Sequence, residues 1–144
     1  MGNIAAALHR QLDDLLDFVR PDSVRTVGPR GSVKRALITE LAVRVQATRA
    51  LVAAAVQASS TDIGAMFDAA MAGVMGGDLS EDFGEATLAI FGPAAALTGG
   101  AGGEEVPGGG AFEYGLRQSI MYVVGGGTND VQRGLIARGL GLPR

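Results

Sequence analysis

Three consecutive glycines at 125–127 run into Thr128, Asn129, Asp130 and Gln132, and these are the residues whose types and order could do chemistry. Glycine has no Cβ, so the backbone there can take positive φ and lie close against a flat ligand or another chain. Thr128 stands where an N-cap belongs. Asp130 falls in the turn that would follow, where a carboxylate complements the positive end of the helix dipole. A helix start reached through glycines is also a place for a phosphate or other anion. Downstream, Val131, Leu135 and Ile136 form one apolar stripe, with Gln132, Arg133 and Arg138 pointing elsewhere. The plainer reading of the same residues is a helix-breaking connection followed by a cap.

Composition removes several other chemistries. With no cysteine there are no disulfides or thiolate metal sites, and the single His9 cannot make a two-histidine metal constellation. His9 is expected on an exposed helix face, and no metal site is expected. Twelve basic against fifteen acidic residues give a net charge of −3, which offers no basic patch for nucleic acid. The first residues carry neither the basic start of a signal peptide nor a myristoylation signal. The longest apolar run, around 50–56, ends at Gln57, far short of the roughly 18 residues a membrane span needs. A cytoplasmic protein with no membrane partner is the expectation.

The elements that must position the glycine segment are legible as helices. A length of 144 residues suits one domain, and a hydrophobic content of 47% with only 5% aromatics and no tryptophan leaves a core of Ala, Leu, Val and Ile. Such a core favours helices. Ile4, Leu8, Leu12, Leu15, Leu16 and Val19 repeat at three- and four-residue steps and predict a helix that stops before Pro21. Residues 22–31 read as a basic loop. From about Ser32 to Ala58, the stripe Leu37, Leu41, Val45, Thr48, Val52 and Ala55 predicts the longest helix, whose alanine-rich second half suits close packing. After a fresh cap near Thr61 and Asp62, Met66, Phe67, Ala70, Met71 and Val74 predict a third helix. Gly76-Gly77 would cost that helix about 1.5–2 kcal/mol, so a kink or a junction of two helices is expected there. The pattern continues through Leu79, Phe83, Ala86, Leu88 and Ile90 to Gly92-Pro93. Residues 92–111, with eight glycines and two prolines, read as a flexible Gly-rich loop. Helix resumes near Phe112. The expected fold is all-α, an antiparallel four-helix bundle in one domain over residues 1–144, its last helix broken at 125–127.

On these residues the chain resembles the C-terminal helical domain of bacterial-type acyl-CoA dehydrogenases. In that family a Gly-Thr-Ser-Glu-Ile-Gln-Arg type segment opens the final helix beside the flavin, and residues 127–133 here are Gly-Thr-Asn-Asp-Val-Gln-Arg. The terminal Leu-Gly-Leu-Pro-Arg at 140–144 is common in bacterial members. Residues 33–49 are similar to the family's second helix, 86–93 to the segment closing its third, and 114–119 to the approach to the glycine loop.

The resemblance implies α,β-dehydrogenation of an acyl-CoA thioester with FAD as cofactor. It implies flavin contacts at Gly127, Thr128 and Asp130, the last standing where Glu or Gln is usual. It implies assembly as a homo- or hetero-oligomer with dehydrogenase subunits. The family's N-terminal helical and middle β domains, which build much of the acyl-CoA site, have no counterpart in this sequence, so substrate would be met only through missing domains or a partner. The family base is a glutamate, and its usual position before Gly-Thr is Gly126 here; the alternative position on the first helix falls within residues 2–19, which hold aspartates but no Glu. No catalytic residue is therefore expected in this polypeptide. Ala89 and Pro93 replace family residues that reach a neighbouring subunit's ADP moiety, and either Arg25 or Arg30 could stand for the pyrophosphate arginine. Two readings remain open: a piece of the dehydrogenase, whether fragment or reduced subunit, and a structural bundle that assembles with paralogues.

Overall fold

The computed structural model describes residues 2–20, 29–57, 63–99, 106–125 and 127–142. Among them are five α-helices and no strand: α1 (Gly2–Val19), α2 (Pro29–Gln57), α3 (Ile63–Phe91), α4 (Ala111–Val124) and α5 (Asn129–Gly139). Single-turn 3₁₀ segments flank the glycine-rich connection at Gly92–Ala96 and Pro107–Gly110.

Burial follows the expected periodicity. On α1 the residues Ile4, Leu8, Leu12 and Leu15 are buried, with Leu16 and Val19 packed against the same core. α2 contributes Ile38, Leu41, Val45, Thr48 and Val52, while Leu37 is only half-buried. Its helix starts at Pro29, earlier than the expected Ser32, because proline's fixed φ and missing N–H suit the first helical position. In its second half Ala50, Ala53 and Ala54 are exposed, and Ala55 of the expected stripe is half-buried.

α3 corrects two expectations. It runs unbroken through Gly76-Gly77, and at 29 residues it equals α2 in length. The glycines are used for close approach. A Cβ on Gly76 would stand 2.8 Å from Ile4 Cδ1 on α1, and one on Gly77 would stand 3.1 Å from Asn129 Oδ1 on α5. Gly84 makes similar room for Leu116 of α4. α3 is thus the central helix, and packing on several sides offsets the propensity it lacks. Hydroxyls that fall in this interior bond back to their own helix: Ser80 to Gly76 O at 2.7 Å, Thr87 to Gly84 O at 2.8 Å, Thr48 to Arg44 O at 2.9 Å.

Cross-helix pairs fix the directions. Arg44 of α2 pairs with Asp82 of α3, and Leu37 faces Ala89, so α2 and α3 are antiparallel. Gly77 lies by Tyr122 and Gly84 by Leu116, so α3 and α4 are antiparallel. Ile4 meets Gly76 and Phe18 meets Phe91, so α1 runs parallel to α3. This is the expected all-α antiparallel bundle with α4 and α5 as the two parts of a broken last helix.

In the stretch 92–111, the described ends form tight turns. Gly108, Gly109 and Gly110 have φ of 61°, 60° and 92°, a left-handed run that residues with a Cβ rarely adopt. The backbones of Gly99 and Gly110 approach so closely that a Cβ on Gly110 would stand 2.5 Å from Gly99 N. Beneath them Phe18, Phe91 and Phe112 cluster, with centroids 5.1, 5.2 and 6.4 Å apart, and close that end of the bundle.

Candidate functional site: the start of the last helix

The glycine segment ends α4 and turns the chain. Gly125 closes α4 by donating its N–H to Met121 O at 2.7 Å, and Gly127 takes φ of 106°. Gly126 lies outside the described residues. Thr128 is the N-cap of α5, its side-chain oxygen accepting the Val131 N–H at 3.4 Å and its carbonyl accepting the Gln132 N–H at 3.0 Å. The expected cap is therefore present.

The next residues diverge sharply in environment. Asn129 is buried, 8% exposed, whereas the Asp130 side chain is 94% exposed. Asn129 Nδ2 donates to Asp78 Oδ1 of α3 at 2.6 Å, and Arg133 donates to Asp78 Oδ2 at 2.8 Å. Arg133 also lies 3.5 Å from Asp130. Gly127, Thr128 and Asp130, the residues singled out in the sequence, share one exposed edge at the start of α5. The expected apolar stripe on α5 is narrower than its spacing suggested: Leu135 and Ile136 are half-buried, but Val131 is 62% exposed because it lies on the side of the helix opposite Asn129 and Arg133, which face Asp78 of α3. The far end of α5 is seated where Gly139 meets Phe67; a Cβ there would stand 2.5 Å from the ring.

Asp78 was missed in the sequence. It is 51 positions from Asn129, and a lone acidic residue after two glycines carries no local signal of its partner. Ala89 is exposed on the rim of a groove of about 300 Å³ between α2 and α3, floored by Leu37, Leu41 and Ala86 and edged by Glu40 and Glu85. Arg30 falls in the first turn of α2 rather than in a loop, and Arg25 lies outside the described residues. His9 is partly exposed, with Nε2 3.6 Å from Asp13. Among the described residues no group of three or more His, Asp or Glu could hold a metal ion, and no helix is long and apolar enough to cross a membrane.

Residues 1–141 match the family described as acyl-CoA dehydrogenase, C-terminal domain. The chain belongs to that family. As an acyl-CoA dehydrogenase C-terminal domain it has a solved structural relative, a chain in the crystal structure of the ChsE4-ChsE5 complex from Mycobacterium tuberculosis, with a TM-score of 0.77 and 21% identity. The match covers 97% of this chain and 36% of that one, so this acyl-CoA dehydrogenase domain spans about a third of its relative's length. No curated protein matches it in sequence.

Proposed function

We propose that residues 1–144 form a single C-terminal-type domain of a cytoplasmic, flavin-dependent acyl-CoA dehydrogenase, which supplies one wall of an FAD site and part of an oligomer interface. The exposed edge Gly127-Thr128-Asp130 at the capped start of α5 carries this reading. The residues suit one side of a flavin. Gly127 has no Cβ to hold a ring away, Thr128 presents a hydroxyl, and Asp130 presents a carboxylate that can only accept, so it suits a ligand N–H rather than a phosphate. The other side of the ligand would be covered by domains or subunits beyond this chain.

Bound FAD would accept the substrate's β-hydride while a carboxylate takes the α-proton, leaving a carbon–carbon double bond in the acyl-CoA. That carboxylate is not supplied by the edge itself. Asp78 is engaged by Asn129 and Arg133, and Asp130 points to solvent beside Arg133. Gly126, where the family commonly has its base, has no side chain. The role of this chain is thus to position the cofactor and join subunits, with proton abstraction supplied elsewhere in the assembly.

A second reading, a non-catalytic bundle that assembles with dehydrogenase paralogues, is favoured by one observation: α4 exposes Tyr114, Ile120, Met121 and Val124 to 57–64%. A visible absorption spectrum of the chain, purified with and without co-expressed dehydrogenase subunits, separates the two. Flavin bands that accompany the chain or its complex support the first reading; a stable complex without flavin supports the second.

A further inference from the structure

Resting on the reading that residues 127–130 border a flavin, we infer that Asp78 is the positioning residue of that edge, holding the start of α5 from α3 through Asn129 and Arg133 together. The two oxygens of its carboxylate are divided between two donors, Oδ1 taking Asn129 at 2.6 Å and Oδ2 taking Arg133 at 2.8 Å. Asn129 is the first residue of α5 and Arg133 lies one turn further along the same face. Two attachment points one turn apart fix the helix both along its axis and in rotation about it. One point would leave it free to swivel.

The chain enters through Gly125 and Gly127, which have no side chains to anchor it. The C-terminal seat at Phe67 holds the opposite end of an eleven-residue helix. Arg133 is shared between Asp78 and Asp130, so the same residue that locks the helix also steers the exposed carboxylate. Asn129 is buried, and removing Asp78 would leave its amide without that partner, a loss larger than that of an exposed bond.

The test uses the isotopically labelled full chain and FAD itself as the probe, with three proteins: the natural chain, Asp78→Ala, and the reversed pair Asp78→Arg with Arg133→Asp. Hydrogen exchange is read at the Val131 and Gln132 amides, which bond to Thr128, and at Val45 and Thr48 in α2. FAD-induced amide shifts are read at Thr128 and Val131. Asp78→Ala is expected to speed exchange at Val131 and Gln132 roughly tenfold, leave α2 unchanged, and weaken FAD binding by a similar factor. The reversed pair restores the ion pair but gives Asn129 Nδ2 no acceptor, and is expected to recover only part of both.

Unchanged exchange at α5, or equal acceleration throughout the chain, would overturn the inference, the latter because Asp78 would then be a general stabiliser. So would undiminished FAD shifts over a loosened α5, and in that case the flavin reading stands. If the natural chain shows no FAD shifts either alone or with co-expressed dehydrogenase subunits, the flavin reading falls and the positioning role falls with it, while the exchange data still report whether the attachment itself exists.

Discussion

Gly77 and Asn129 occupy one space: a Cβ built on Gly77 would stand 3.1 Å from the Asn129 side-chain oxygen and 3.5 Å from the Tyr122 carbonyl. The buried amide that holds α5 therefore depends on a missing methyl group two helices away in the sequence. Gly77→Ala gains about 1 kcal/mol of helix propensity but must displace Asn129 or separate α3 from α4, at about 1–3 kcal/mol. A net destabilisation of roughly 1 kcal/mol is expected in urea unfolding, with the amide resonances of Asn129 and Val131 shifted. Equal or greater stability with unmoved resonances would show that the space is not needed.

Gly134 is the contrasting case. It lies inside α5, is exposed, and a Cβ there would meet nothing within 4 Å. Gly134→Ala is expected to stabilise the chain by about 0.5–1 kcal/mol, visible as a higher unfolding midpoint with an unchanged slope. Gly84→Ala, where the added carbon would run into Leu116, is expected to do the opposite.

Thr128 caps α5 through a contact of 3.4 Å, longer than the roughly 2.7–3.2 Å of a usual N–H···O bond. Thr128→Ala should therefore cost about 0.5–1 kcal/mol, and Thr128→Ser much less. Thermal unfolding of the three proteins checks the order; an alanine variant as stable as the natural chain would mean the hydroxyl does not act as a cap.

The absence of a side chain at Gly126 and the occupation of Asp78 by two donors predict that the purified chain alone does not oxidise acyl-CoA with a dye acceptor. Turnover by the isolated chain, retained through successive purification steps, would overturn this and call for a base on this polypeptide.

The exposed α4 residues, with Leu140 and Leu142 beyond α5, predict self-association. Sedimentation velocity at increasing concentration should show species heavier than 14.6 kDa. If it does, Ile120→Glu with Met121→Lys should return the chain to a monomer; a strictly monomeric natural chain would sink the prediction.

Much of this was legible because helical spacing and caps are local. The end of α1, the Thr128 cap that starts α5 and the buried face of α1 follow from residues within a few positions of one another. The unbroken α3 was not legible. Glycine pairs disfavour a helix when only the helix is considered, and the reason they are kept, the approach of Ile4 and Asn129, comes from residues 72 and 52 positions away. The exposure of Val131 escaped for a related cause. Apolar spacing on an eleven-residue helix is satisfied by several rotations, and a polar attachment to Asp78 selected the one that turns Val131 outward. Gly127, Thr128 and Asp130 were singled out by their order in the sequence, whereas the contact of Asp78 with α5 required the fold.

The glycine content of α3 also bears on how the chain reaches this structure. Five glycines, at 64, 73, 76, 77 and 84, weaken its intrinsic helicity by several kcal/mol in sum, at about 1 kcal/mol each. The helix that every other helix leans on is thus a poor starting point for folding. Nucleation is therefore expected in α1 and the alanine-rich α2, which can form turns locally, with α3 winding up against the surface they present; folding rates of variants in each helix would check the order. On this order, substitutions that weaken α1 or α2 slow folding, whereas those that weaken α5 mainly speed unfolding.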